Sequence, residues 1–315
     1  MVMDKSTIDI FRSWNWPVNG QETFSKRPSP YSVAKNTSLA VSSVYNSWHR
    51  LFDKNVVRRV ILLPSDQIVK RSVAIFPNAS YDDFTSIKSR IDQLHFLELL
   101  HFGHIYQVGG EMNIFAKGLG VMAAEVVNSS KEVFKTVAQQ ISRITANDAE
   151  PILLPTNSRP EELDAKYVSI MRELAYSDLY RIEIGRTALR LNTSYKTAKR
   201  RMDDILRSKS IMAYPLLNQS SIEGFQIAFI YAKYEGNCSD EDFLKVLKEM
   251  PVISERYLLY RFLNGHLTMI IYYNSIGDLE SSCKELEHFF PSFLLLTRFE
   301  TYFNEVVTSS IAEIF

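Results

Sequence analysis

Apolar residues recur along this chain with two alternating periods, and the second half shows them most regularly. Residues Ala165 to Tyr176 read as a helix, followed by a short helix near Ile182 to Arg190 and a third from Tyr195 to Ser208. On the third, Met202, Ile205 and Leu206 form one apolar stripe at helical spacing, and Asn192-Thr193-Ser194 before it supplies a turn and a serine N-cap. Two extended apolar stretches follow, Ile211 to Leu217 and Phe225 to Lys233, joined through polar Asn218 to Gly224. They predict a wing and then the first strand of a new unit. From Phe225 the pattern is strand, helix, strand, strand, helix, strand. The later strands fall near Glu255 to Leu263, Leu267 to Asn274 and Ser292 to Thr301, with helices Ser239 to Met250 and Ile276 to Phe289 and a hairpin signal at Asn264-Gly265. That order is the ferredoxin-like split βαβ motif.

The first half restates the second. A shift of 154 positions carries Val44, Trp48, Leu51, Phe52 and Val57 onto Ala198, Met202, Ile205, Leu206 and Ile211, and Val73 to Phe76 onto Ile227 to Ile230. After a five-residue slip Asp82-Asp83-Phe84 falls on Glu241-Asp242-Phe243, and further on Phe115, Gly118 and Met122 fall on Phe262, Gly265 and Met269. The less regular copy has helices Tyr81 to Leu94 and Ser130 to Ile144 and strands within Leu97 to Val127 and at Pro151 to Leu154. The expected fold is therefore α+β, a tandem duplication of a winged helix-turn-helix followed by a ferredoxin-like βαββαβ domain. Its expected units are residues 1–66, 67–155, 156–221 and 222–315, with a turn-rich linker at Pro155 to Pro160 between the halves.

At 315 residues and 46% hydrophobic composition the chain can bury several cores. No stretch approaches the roughly 18 unbroken apolar residues of a membrane span, and the N-terminus has no signal-peptide core, so a cytoplasmic protein without membrane contact is expected. Cys238 and Cys283 are too few for a disulfide framework. The net charge is zero, so a nucleic-acid surface must be local. Such a surface is present from Arg186 to Lys209, where eight basic residues face two acidic ones. Tyr195, Lys196, Lys199 and Arg200 fall on the outward face of the third helix, where bases and phosphates are reached. In the first copy the corresponding helix offers Ser42, Ser43, Asn46 and Arg50, and the next strand opens with Arg58-Arg59.

Other residues read as structural. Trp48 aligns with Met202 and reads as core. His95, His101 and His104 cluster, but apolar neighbours surround them and no carboxylate or cysteine completes a metal spacing, so no metal is expected. His266 reads as a turn residue. No nucleophile elbow, P-loop or dinucleotide fingerprint occurs; Gly109-Gly110 and Gly118-Leu-Gly120 read as strand turns, and no cofactor is called for.

The run from Ile184 to Ile205, with Leu-x-x-Ser-x-x-Thr-x-x-x-Arg spacing, resembles the helix-turn-helix of the leucine-responsive and asparagine-related (Lrp/AsnC) transcriptional regulators. The resemblance implies a sequence-specific regulator of double-stranded DNA rather than an enzyme, with Tyr195, Lys196, Lys199 and Arg200 at its exposed recognition positions and Arg201 at a structural one. It also implies an amino-acid-like effector, homo-oligomer assembly, and here an intrachain pseudo-dimer. The first copy departs, with Ala40 at the N-cap and Ser47 in place of the arginine; the family's Gly-x-x-Asp turn is replaced by Gly265 to Thr268 and Gly118 to Val121. Two alternatives stand beside the regulator. One is a siroheme decarboxylase-like enzyme, a class similar in fold that applies basic and histidine side chains to tetrapyrrole carboxylates. The stretch Val56 to Val60 and His101, His104 and His266 are compatible with it. The other is a winged-helix scaffold that binds proteins.

Overall fold

The structure is a computed structural model. It describes residues 3–13, 30–64, 71–76, 78–94, 97–109, 114–124, 133–145, 152–154, 165–174, 177, 183–208, 210–234, 238–239, 242–263 and 265–304. The first half runs α1 (Lys5–Ser13), α2 (Pro30–Thr37), α3 (Val41–Asp53), β1 (Val57–Pro64), β2 (Arg71–Phe76), α4 (Tyr81–Lys88), β3 (Leu97–Val108), β4 (Ile114–Ala124), α5 (Val133–Thr145) and β5 (Ile152–Leu154). The second runs α6 (Ala165–Leu174), α7 (Ile184–Arg190), α8 (Tyr195–Arg207), β6 (Ile211–Leu217), β7 (Gln226–Lys233), α9 (Phe243–Lys248), α10 (Pro251–Arg256), β8 (Tyr257–Leu263), β9 (His266–Tyr273), α11 (Ile276–Phe289) and β10 (Phe293–Phe303). The expected linker, with Gly110, Lys209 and Asn264, lies outside the described residues.

The duplication is visible in backbone and burial alike. The turn before α3 is made by Ser38 at φ 57° and the turn before α8 by Asn192 at φ 46°, a left-handed conformation at the same repeat position. Val44 and Ala198, Trp48 and Met202, and Leu51 and Ile205 are buried pairwise, so each third helix turns the same face inward. Ser194 caps α8 by accepting the Thr197 N–H at 3.1 Å, whereas Ala40 gives α3 no side-chain cap.

The wings differ from expectation. Neither is a hairpin of its own: β1 and β6 pair antiparallel with each other, from Val57 opposite Leu217 to Pro64 opposite Ile211. The 154-residue shift carries the pair Val60 and Pro215 onto the pair Tyr214 and Ile61, so the ribbon lies across the pseudo-two-fold relation of the halves. Five successive buried residues, Val60 to Pro64, give β1 the continuous apolar face of a strand enclosed on both sides, and the core beneath it joins Trp48, Leu51, Met202, Ile205 and Leu206.

The remaining strands form one eight-stranded sheet in the order β5-β2-β4-β3-β10-β7-β9-β8. Within each half the order is that of a ferredoxin-like unit, and the halves are stitched by β3 against β10. Alternation along the strands separates two faces. Ala74, Phe76, Leu97 and Leu100 pack with Phe84, Ile87 and Ile141, and Ala228, Ile230, Leu295 and Met269 pack with Phe243, Leu247, Ile253 and Leu286, which puts α4, α5 and α9 to α11 on one face. The other face presents Leu99, Ile227, Leu259 and Ile270 to the paired winged helices.

Three local expectations are corrected. The helix expected from Ser239 to Met250 is the shorter α9, Phe243–Lys248, and a second helix that was not expected, α10, follows it with Pro251 in its first turn. Gly118 and Gly120 are not turn residues but lie inside β4, opposite Gly103 and His101. The repeat alignment also slips in β4: Val121 and Ile271 hold the equivalent places opposite Ala74 and Ala228, so Met122 corresponds to Tyr272 rather than Met269. No helix among the described residues is long and apolar enough to cross a membrane.

Candidate functional site

The seam between the halves contains an irregularity. β10 follows β3 in regular register from Phe293 to Thr297, then skips two residues before Glu300 pairs with Phe102. The bulge is Arg298 and Phe299, and Arg298 sits at φ 50°, a conformation that side-chain-bearing residues adopt at a cost. Gly103 lies opposite, and a Cβ there would stand 2.8 Å from Phe299 Cβ and 2.8 Å from the Thr297 carbonyl oxygen. Only a residue without a side chain lets the bulge close against β3. Bulges re-aim side chains, and this one turns residues 298–302 toward a cavity.

The cavity has a volume of about 720 Å³ and lies where the β1–β6 ribbon meets the ends of α4 and β10. Arg58 enters from β1, Lys88 from α4 and Arg298 from the bulge, while Glu300 is the one carboxylate among the lining residues. The Lys88 ammonium lies 5.2 Å from the Tyr302 ring centre and 5.8 Å from that of Phe84. Asn218, Gln219, Ser220 and Gln226 add neutral polar groups, with Ile222, Phe225 and Phe299 as apolar wall. Three cations around an apolar and amide-rich cleft suit an organic ligand with several carboxylates.

Behind this wall is His101. Its ring is buried, stacked on Phe229 at 5.6 Å and edge-on to Phe299 at 5.8 Å, with Nδ1 2.9 Å from the hydroxyl of Thr301, a lining residue. Burial pushes its pKa down from 6.5 to about 4, so the ring is uncharged at neutral pH. Unfolding exposes a histidine that takes up a proton near pH 6.5, so stability falls as the pH drops from 6.5 toward about 4. The loss is on the order of 3 kcal/mol. Urea unfolding between pH 7.5 and 4.5 measures it: His101→Phe flattens this part of the curve, and parallel curves for variant and wild type would contradict the assignment.

The residues singled out in the sequence are dispersed. Tyr195, Lys196, Lys199 and Arg200 are exposed on α8, and Ser42, Ser43, Asn46 and Arg50 are exposed on α3. Arg58 lines the cavity, and Arg59 lies over the Phe303 ring at 5.4 Å. His101 and His104 lie on β3, with His101 buried and His104 half-buried; His95 lies outside the described residues. His266 is not a simple exposed turn residue: it is half-buried at the start of β9, with Nδ1 2.6 Å from the Tyr231 hydroxyl. Trp48 is core, as expected, edge-on to Phe52 at 5.2 Å. Among the described residues no group of His, Cys, Asp and Glu is placed to hold a metal. Sequence reasoning missed Lys88, Arg298 and Thr301, which carry no motif; the one available signal was a glycine, Gly103, in the middle of an apolar strand pattern.

Among the described residues this set of side chains occurs once. Its pseudo-symmetric counterpart has Met212 for Arg58 and, by the alignment of α4 with α9, Leu247 for Lys88. Strand register gives Leu259 for His101, and Leu154 follows Leu153, the residue in the place of Thr297, so it stands for Arg298. Each of these four residues has an apolar replacement.

No protein-family model matches the chain, and no curated protein matches it. Solved structures similar to it include two of one enzyme. One is the crystal structure of the siroheme decarboxylase NirDL, at 12% identity and a TM-score of 0.47, covering 98% of each chain. The other is the same enzyme in co-complex with an iron-uroporphyrin III analogue, at 10% identity and a TM-score of 0.46, again covering 98% of each. Both neighbours are enzymes. A DNA-binding regulator that is not an enzyme was expected; the similar structures are of a siroheme decarboxylase instead, and the regulator reading is withdrawn. In the structure the two wing strands pair with one another, Arg58 lines the cavity and Arg59 lies over the Phe303 ring. The α+β fold with duplicated winged-helix and ferredoxin-like units stands.

Proposed function

We propose that the chain is an enzyme acting on a multiply carboxylated small molecule, with a carboxylated tetrapyrrole of the siroheme class as the substrate to test first. The observation that carries the reading is the convergence of Arg58, Lys88 and Arg298 on one cleft, two of them delivered by a ribbon strand and a bulge that belong to different halves. Guanidinium groups match carboxylates bidentately, and two of them with an ammonium hold a polyanion in one orientation. Decarboxylation fits such a site. When a side-arm carboxylate leaves as CO2, its bonding electron pair stays on carbon and a proton replaces the lost carboxyl. The cations fix the remaining carboxylates, and the Tyr302 hydroxyl and Lys88 ammonium are the proton donors at the wall. His101, uncharged and behind the wall, supports rather than contacts the ligand.

Absorbance titration of the purified protein with iron-uroporphyrin III tests the binding half of this reading. A saturable shift of the porphyrin band with micromolar or tighter affinity, weakened by added salt, is the expected result. A band unchanged by protein would contradict it.

A further inference from the structure

Thr301 and His101 face each other across the β3–β10 seam, and their hydrogen bond has a direction that the surroundings settle. The other ring nitrogen of His101, Nε2, is buried without a hydrogen-bond partner among the described residues. A proton on Nε2 would leave an orphaned N–H donor between the Phe229 and Phe299 rings, and orphaned donors are the rarer defect in native structures. A proton on Nδ1 leaves only an unused lone pair at Nε2. His101 is therefore the Nδ1–H tautomer and donates to Thr301 Oγ1. The threonine oxygen accepts, and its own O–H is left to donate into the cavity on the wall that carries Arg298. We infer that Thr301 is a specificity-determining donor to an anionic oxygen of the bound ligand, and that His101 is the positioning residue that fixes its direction. This rests on the cavity being the site of a carboxylated ligand. Leu259 holds the place of His101 in the other half, so among the described residues the pair is found in one half.

Two measurements test it, one without ligand. Nitrogen-15 shifts of the His101 ring will show a protonated Nδ1 and a bare Nε2, unchanged between pH 6 and 8; the reverse pattern overturns the inference. With iron-uroporphyrin III as the probe, Thr301→Val will lower affinity roughly ten-fold or more, the loss of one donor to a charged acceptor, while Thr301→Ser will stay within about three-fold of wild type. His101→Phe will cost about as much as Thr301→Val, and the double variant no more than either, since both remove one hydrogen bond. Undiminished binding by Thr301→Val while the wild type binds overturns the inference alone. A wild type that does not bind the probe overturns the functional reading and this inference with it.

Discussion

Replacing Arg58 with Met, Lys88 with Leu and Arg298 with Leu will abolish binding of a carboxylated tetrapyrrole rather than halve it. These are the residues that the other half carries at the same places, so the triple variant converts the cavity into its counterpart without introducing a side chain foreign to the fold. Each charge-assisted hydrogen bond to a carboxylate contributes about 1.5 to 3 kcal/mol where solvent is excluded. Arg58 and Arg298 are exposed, so the lower end applies, and three together amount to a loss on the order of a thousand-fold in affinity. Calorimetric titration reads both numbers at issue. The wild type will bind one equivalent per chain and the variant none; a variant that keeps half of a two-equivalent stoichiometry would show that the halves hold equivalent sites.

Gly103→Ala will damage the same site from behind. The added methyl meets Phe299 Cβ at 2.8 Å and the Thr297 carbonyl oxygen at 2.8 Å, and neither is the end of a flexible side chain. Strand β3 must then part from β10 at the seam that joins the halves, or the bulge must flatten. Overpacking of this kind costs roughly 1 to 3 kcal/mol, and here it falls on backbone, so the upper end is expected. A flattened bulge also releases Arg298 from φ 50° and turns it out of the cavity, so ligand affinity drops together with stability. Gly185→Ala is the control. It lies in helix α7 with nothing within 4 Å of the added carbon, and it should gain up to about 1 kcal/mol with no change in binding. Equal behaviour of the two variants in urea unfolding and in titration would contradict the role given to the bulge.

Much of the scaffold was legible because it depends on local order. The stripe Met202, Ile205 and Leu206, the Ser194 cap, the turn at Asn192 and the burial of Trp48 are all set within one or two helical turns, and periodicity reports them. The repeat extended that reading to the less regular copy. What joins distant segments was not legible. The pairing of β1 with β6 links residues more than a hundred positions apart, and the same alternation would serve a hairpin wing. Arg58 and Arg59 are neighbours in sequence where β1 shifts register against β6, and no periodicity says that one lines a cavity and the other lies over Phe303. Glycine was misread for a related reason. Gly118 and Gly120 resemble turn residues in sequence, but in β4 they stand opposite Gly103 and His101, where backbones approach closely. His101 likewise drew notice as one of three clustered histidines, whereas its significance comes from Thr301, two hundred residues away.

The central claim, that this chain is an enzyme for a carboxylated tetrapyrrole, is tested most directly by mass spectrometry of siroheme after incubation with the purified protein under anaerobic conditions. Stepwise loss of CO2 from the macrocycle, absent with the Arg58, Lys88 and Arg298 triple variant, is the expected result. A tetrapyrrole of unchanged mass after prolonged incubation, with the protein folded and the ligand bound, would contradict it.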